Sequence, residues 1–329
     1  MSSVTSAINH LTRSLVWSEE LKEIVLDELT GQGHVRWIPF ANGDTLNIPS
    51  IGEGTVRNYV EDTAAKYDSL DTGNFTFNIT EYLQSGTYIT EKARQDLLYA
   101  AELEAAFIPK QARALAERVE TDIYSLAAGT GTNGGQTAGS TNLYNTAPHR
   151  WVGSTAVGSE YAIAVKDFAK ALYSLKKANM PGQSLIAIVD PSVEYTLNTL
   201  SNLVDVSNNP RWEGIITSGI GGGPRFIKNV YGFDVYVSNY LAPAGSAQTG
   251  AETITNAVSA TNAGVCNIFM SAADSRLLPF IGAWRQMPKV DSEYNKDFQR
   301  EEYLTTARYG LKVYRPENLV VVLTSTNVV

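Results

Sequence analysis

Within residues 91–128 the apolar side chains Leu97, Ala101, Ala105, Ile108, Ala112, Leu115, Val119, Ile123 and Leu126 recur at steps of three or four, the period of one helical face. Thr90 is placed to cap the start and Gly129 to end the run. A continuous helix over these positions would measure about 57 Å, several times the length of the mean globular helix of about 11–12 residues. Such an element is a strut, and the rest of the chain has to be built along it. Pro109 falls inside the stretch; it removes a backbone donor and crowds the preceding turn, so a kink or a split is expected there.

The segment before the strut has a different texture. A first helix is expected over 19–29, where Ser18 can cap and Leu21, Ile24, Val25 and Leu29 share a face. From residue 44 to residue 90 the pattern turns to short β pieces, among them 56–60 and the alternation of Phe75, Phe77 and Ile79 with Thr76, Asn78 and Thr80. The Asp71-Thr72-Gly73 triplet reads as a turn between two of them, which suggests a long hairpin. This hairpin carries seven acids (Asp44, Glu53, Glu61, Asp62, Asp68, Asp71, Glu81) against Arg57 and Lys66, so it holds most of the chain's net charge of -8. Its apolar side chains are too sparse for a core of its own. A partner surface is therefore expected for it, and residues 276–329 offer one, with eight basic side chains against six acids.

Beyond the strut, residues 129–142 (GTGTNGGQTAGSTN) read as a flexible loop; no GxxxxGK[ST] phosphate cradle is present. The remainder mixes helix and strand. A helix is expected over 161–178, a buried strand over 184–189, a helix from Pro191 capped by Asp190, strands at 225–230, 233–237 and 265–270, and an antiparallel tail from Trp284 onward. The order is α+β rather than a regular βαβ alternation.

The 329 residues carry 26 basic and 34 acidic side chains and one cysteine. No basic run stands out, which argues against a reader of nucleic-acid sequence. Apolar runs of about five residues fall far short of a membrane span, and no secretory core follows the N-terminus. His10, His34 and His149 are too scattered for a metal site, and GxSxG and HExxH are missing. The glycines of 219–223 end in Pro224, which does not suit a dinucleotide loop. Glu61/Asp62 and Glu301/Glu302 are sequence neighbours, so on a strand each pair would point to opposite faces. Cys266 lies among apolar neighbours and reads as an inert buried thiol. Neither an enzyme nor a cofactor is expected.

The order of parts resembles the major capsid proteins of tailed bacteriophages, with the Hong Kong 97-like fold. Two stretches carry the echo in sequence: GFDVYVSNYLAP over 232–243, and YGLKVYRPENLVVV over 309–322, where Tyr314-Arg315-Pro316 leads into a β-branched strand. The resemblance implies an N-terminal arm (1–43), an extended β-hairpin loop (44–90), a long spine helix with part of a peripheral domain (91–160), an axial domain (161–275), and a peripheral return with a C-terminal axial strand (276–329). It further implies self-assembly as hexamers and pentamers into an icosahedral head around double-stranded DNA. The expected partners are other copies of the chain, a scaffolding protein, a portal and a possible decoration protein. DNA is met by non-specific proximity, no membrane is involved, and the virion forms in the host cytoplasm.

Candidate contacts between subunits are Arg57, Glu61, Asp62, Lys66, Asp68 and Asp71 on the loop and Arg300 and Arg308 on the tail, with Pro109 as a candidate spine hinge. Some relatives weld the loop to a neighbour by a Lys-Asn isopeptide bond assisted by a carboxylate. Counting back from Tyr314-Arg315-Pro316, the matching positions hold Gln299 and Thr306, so no such bond is expected here, although Asn295 lies close by. Two other readings stay open from sequence: an encapsulin-like cellular compartment shell, and a hydrolase with an unrecognised carboxylate site.

Overall fold

A computed structural model of the chain describes residues 29–40, 43, 45–51, 56–59, 61–62, 64, 72–96, 100–128, 143–157, 160–199, 226–243 and 264–326. All but the last residue of the helix expected over 19–29, the glycine-rich loops of 129–142 and 219–224, and Lys66, Asp68 and Asp71 lie outside the described residues; Leu29 itself is not helical.

The periodic stretch folds as helix α1 (Glu91–Asp96) and helix α2 (Ala100–Ser125), closed by a 3-10 turn over Leu126–Ala128. At the start of α1 the Thr90 hydroxyl accepts the Ala93 N–H at 3.3 Å, the expected cap. Pro109 lies inside α2, which is not split there. One missing donor does not end a helix whose next turns are held by tertiary contacts, beginning with Gln111. Leu115, Val119, Ile123 and Leu126 are buried as their spacing requires, while Ala112 is exposed and the polar Gln111 and Glu120 are buried.

One face of α2 lies on a four-stranded sheet of order β1-β14-β15-β4. Its members are β1 (Val35–Pro39), β4 (Glu81–Thr90), β14 (Phe280–Asn295) and β15 (Arg300–Val313). Buried polar pairs fix the register of helix on sheet. Gln111 donates to the Thr87 hydroxyl at 2.7 Å and accepts from that of Thr305 at 2.8 Å, and the Tyr309 hydroxyl donates to Asp122 at 2.5 Å.

The second sheet has six strands in the order β11-β12-β10-β13-β16-β7: β7 (Arg150–Val152), β10 (Leu185–Val189), β11 (Phe226–Val230), β12 (Phe233–Val237), β13 (Gly264–Ser271) and β16 (Val320–Ser325). Because successive strand residues face opposite ways, β10 feeds two cores. Leu185, Ala187 and Val189 pack with Phe168, Ala171 and Leu175 of helix α3 (Val165–Lys177) and with Val193 and Leu197 of helix α4 (Pro191–Thr199). Ile188 faces the end of α2 and the base of the first sheet, among Ile123, Tyr124, Phe280 and Leu311. Helix α3 is shorter than the expected 161–178 because Glu160–Ala162 forms strand β9 against β8 (Thr155–Val157). Asp190 caps α4 as expected, its carboxylate accepting the Ser192 N–H at 2.9 Å. Two short strands, β5 (Leu143–Tyr144) and β6 (Ala147–Pro148), form a further hairpin.

Thr72 and Gly73 do not form the expected turn, Asp71 lying outside the described residues. Thr72 and Gly73 open strand β3 (Thr72–Asn78), which pairs antiparallel with β2 (Thr45–Ile51), and residues 56–59 are not strand. Ile48 opposite Phe75, both packed against the same apolar cluster, helps to set the register, and continuing this ladder outweighs the local turn signal. The base of the hairpin belongs to its own subunit: Phe77 and Ile79 are buried with Phe40, Ile281 and Ala283.

Candidate functional site

The far end of the β14–β15 hairpin brings acidic, basic, amide and aromatic side chains together. Glu293, Tyr294, Asn295, Lys296, Asp297 and Glu302 line an open concavity of about 390 Å³. Arg300 forms an ion pair with Glu302 at 2.6 Å, and its guanidinium lies 4.5 Å from the Tyr88 ring centre and 4.7 Å from that of Phe298. Asn295 donates to the same Glu302 oxygen at 3.1 Å. The hydrogen bond from Arg300, supported by Asn295, holds the Glu302 carboxyl below its ordinary value.

This geometry bears on the isopeptide question. An asparagine and a carboxylate do meet, four residues earlier than the counted positions Gln299 and Thr306. Yet a carboxylate paired with arginine is a weak proton acceptor, so Glu302 is poorly suited to deprotonate an incoming lysine.

Arg300 and Arg308 lie on β15; Arg308 is opposite Tyr82 of β4, and Arg300, opposite Thr90, reaches diagonally over the Tyr88 ring. On that face Tyr82, Tyr88 and Leu304 are exposed. Arg57, Glu61 and Asp62 are exposed between β2 and β3, with Val56 96 % and Tyr59 87 % exposed beside them. Glu61 and Asp62 occupy a turn rather than a strand, and Asp62 has a φ of 60°. Glu301 and Glu302 do point to opposite faces: Glu301 pairs with Arg94 at 3.1 Å, Glu302 with Arg300.

Several organising residues are invisible to a motif search. Glu120 is fully buried, and both its oxygens accept the Gly31 N–H, at 2.7 and 2.8 Å, while one accepts the Thr30 N–H at 2.8 Å. The spine thus grips the chain where the N-terminal segment enters the fold. Arg150, 1 % exposed, donates to the carbonyls of Ala127 and Ala128 at 2.9 and 3.0 Å, placing a cation at the negative end of α2. Cys266 is buried, and burial pushes its thiol up, away from the reactive thiolate. His149 is buried between the carbonyls of Ala147 and Glu317, and burial lowers His34 to about 4; His10 lies outside the described residues.

Known structures share this arrangement. The mature capsid of bacteriophage PhiM1 superposes with a TM-score of 0.70 at 11 % identity, over 94 % of this chain and 91 % of that one. The capsid of cyanophage Pam1 gives 0.67 at 14 % identity, over 99 % of both chains. A chain of Mycobacterium phage Che8 gives 0.64 at 17 % identity, over 94 % and 97 %. At these identities the likeness establishes the α+β capsid fold. No curated protein matches the sequence. The profile of the phage capsid protein family matches residues 73–322, from the start of β3 into β16 and well over half of the chain. The protein therefore belongs to the phage capsid protein family and is a major capsid protein, a structural component of the phage head.

Proposed function

We propose that copies of this chain assemble as hexamers and pentamers into an icosahedral head enclosing double-stranded DNA, and that the segment between β2 and β3 reaches across to a neighbouring copy. The observation that carries the contact is a mismatch within one subunit. The hairpin base is fixed by buried Phe77 and Ile79, whereas farther out Val56 and Tyr59 stand almost fully exposed beside Glu61 and Asp62. Such side chains are suited to a surface that is both apolar and basic. The outer face of β4 and β15 has both properties, with Tyr82, Tyr88, Leu304 and Arg308, and with an Arg300 whose charge is shared with Glu302.

In this reading residues 1–43 form an arm, 44–90 the extended loop, 91–160 the spine and part of a peripheral domain, 161–275 the axial domain, and 276–329 the peripheral return and last axial strand. A scaffolding protein, a portal and a possible decoration protein are the further partners, and assembly takes place in the host cytoplasm. Loop residues Lys66, Asp68 and Asp71 join Arg57, Glu61 and Asp62 as contact candidates.

Electron microscopy of the purified chain, alone and co-expressed with its neighbouring genes, tests the proposal. Closed shells or ring-like hexamers and pentamers are expected. Reversing Glu61, Asp62, Asp68 and Asp71 together to lysine should block them, whereas Arg57→Glu or Lys66→Glu alone should not. Closed shells from the acid-reversed chain at physiological salt would sink the contact. A monomer under every condition would overturn the proposed self-assembly, and shells filled with a cellular enzyme would favour an encapsulin-like compartment.

Pro109, already short of one helical hydrogen bond, is proposed as the hinge at which the spine bends between precursor and mature heads. Unequal curvature of α2 in the two states is the expected result; equal curvature overturns it.

A further inference from the structure

We infer that the outward face of helix α3 binds the phosphate backbone of DNA without regard to sequence; the claim that this DNA is the packaged genome rests on the head-forming reading above. Although no basic run is visible in the sequence, the fold collects one. Lys166, Lys170 and Lys177 recur at i, i+4 and i+11, which places them within about 40° of one another around the helix and along about 17 Å of its length. Lys176 stands beside them, and Lys166, Lys176 and Lys177 are exposed. Helix α3 contributes no exposed acid of its own beside them. Residues 168–189 contain no Asp or Glu. The helix's one acid, Asp167, is buried, accepting from the Trp151 indole at 3.2 Å, the Ser154 N–H at 3.0 Å, the Ala164 N–H at 2.8 Å and the Ser154 hydroxyl.

Helix electrostatics account for part of this pattern only. Lys176 and Lys177 occupy the last turn, where cations favour the negative end of the helix dipole. Lys166 occupies the first turn, where the same dipole opposes a cation. Lys166 is exposed there, next to an Asp167 carboxylate engaged in four hydrogen bonds of its own, and is placed to meet an external polyanion.

The composition of the face selects the kind of polyanion. Lysine is depleted at protein–protein interfaces, whose centres need apolar and aromatic area. Here the one large apolar side chain on the outward stripe is Tyr173, half exposed, and Lys170 is steadied with its ammonium 4.5 Å from the Trp151 ring centre. Lysines act as hydrated point charges and attract phosphate without reading bases. Along one DNA strand the phosphates advance by about 3.4 Å of axis each, so the stripe spans about five of them. A weak, exchanging contact of this kind lets DNA slide past within a chain that is acidic overall.

The test is a salt titration of the full-length chain with a duplex of arbitrary sequence. Each lysine–phosphate contact contributes about 0.9 to the slope of log affinity against log salt, so Lys166→Gln with Lys177→Gln should flatten it by about 1.8. Lys289→Gln, at a lysine engaged with Asp291 at 2.6 Å, should leave the slope unchanged. An unchanged slope in the double variant overturns the inference, as does preferential binding of a polyglutamate peptide over DNA, which would assign the face to an acidic protein. The readout does not depend on assembly: failure of the unsubstituted chain to form shells would strike the head-forming proposal, while the slope alone decides this one.

Discussion

Glu120→Ala is expected to destabilise the subunit by about 3–5 kcal/mol, from the loss of charge-assisted hydrogen bonds worth about 1.5–3 kcal/mol each and the exposure of buried donors to no acceptor. The N–H groups of Thr30 and Gly31 both point at this fully buried carboxylate, at 2.7–2.8 Å. Alanine leaves them unmet in the interior. Glu120→Gln keeps the shape and one accepting oxygen, and about half of the loss is expected. A urea titration should show a lower midpoint at unchanged slope, with faster amide exchange at residues 30 and 31. An unchanged midpoint for Glu120→Ala would mean that the grip contributes nothing to stability. The grip also restricts position 31: a Cβ there would lie 2.8 Å from a Glu120 oxygen.

The second large effect is expected at Gly310, where β15 passes beneath the corner between β3 and β4. A Cβ at this position would come within 2.6 Å of the Asn78 carbonyl oxygen and 3.0 Å of the Ile79 Cα. Both are backbone atoms, which cannot rotate away as a side-chain end can. Gly310→Ala should therefore cost about 1–3 kcal/mol, the range for overpacking, and displace the hairpin whose base is anchored at Phe77 and Ile79. Gly33→Ala is the control, because no atom lies within 4 Å of its added Cβ, and a change within about 0.5 kcal/mol is expected. Thermal unfolding of the two variants side by side checks the difference. Equal melting temperatures would show that the corner yields freely.

What sequence reading recovers is what local periodicity and capping encode. The burial of Leu115, Val119, Ile123 and Leu126, the strand at Leu185–Val189, and the Asp190 cap each follow from residues a few places apart. Distant partners were out of reach. The turn signal at Thr72 and Gly73 is overridden by strand partners more than twenty residues upstream, where Ile51 and Ser50 pair with them and Ile48 lies opposite Phe75. A glutamate on an amphipathic helix reads as a solvated charge, and only the fold brings Gly31 to Glu120. The lysines of α3 form no run in the sequence because other residues separate them along the chain, and only a helical projection of residues 165–177 aligns them. The family signal lay in the order of parts and in Tyr314-Arg315-Pro316 before the last strand, while the contact residues between subunits have no local signature.

The position of β16 has a consequence for timing. It lies inside the six-stranded sheet, antiparallel to β13 and parallel to β7, so residues 320–325 join strands that the ribosome has already released. Until they emerge, β13 and β7 remain open edges and the core around Val320, Val321 and Val322 is unfilled. β1 likewise waits for β14, pairing Val35 with Phe280. Contacts this distant in sequence make folding slow and late. A chain cut short before residue 320 therefore lacks the strand that joins β13 to β7 and cannot complete the six-stranded sheet.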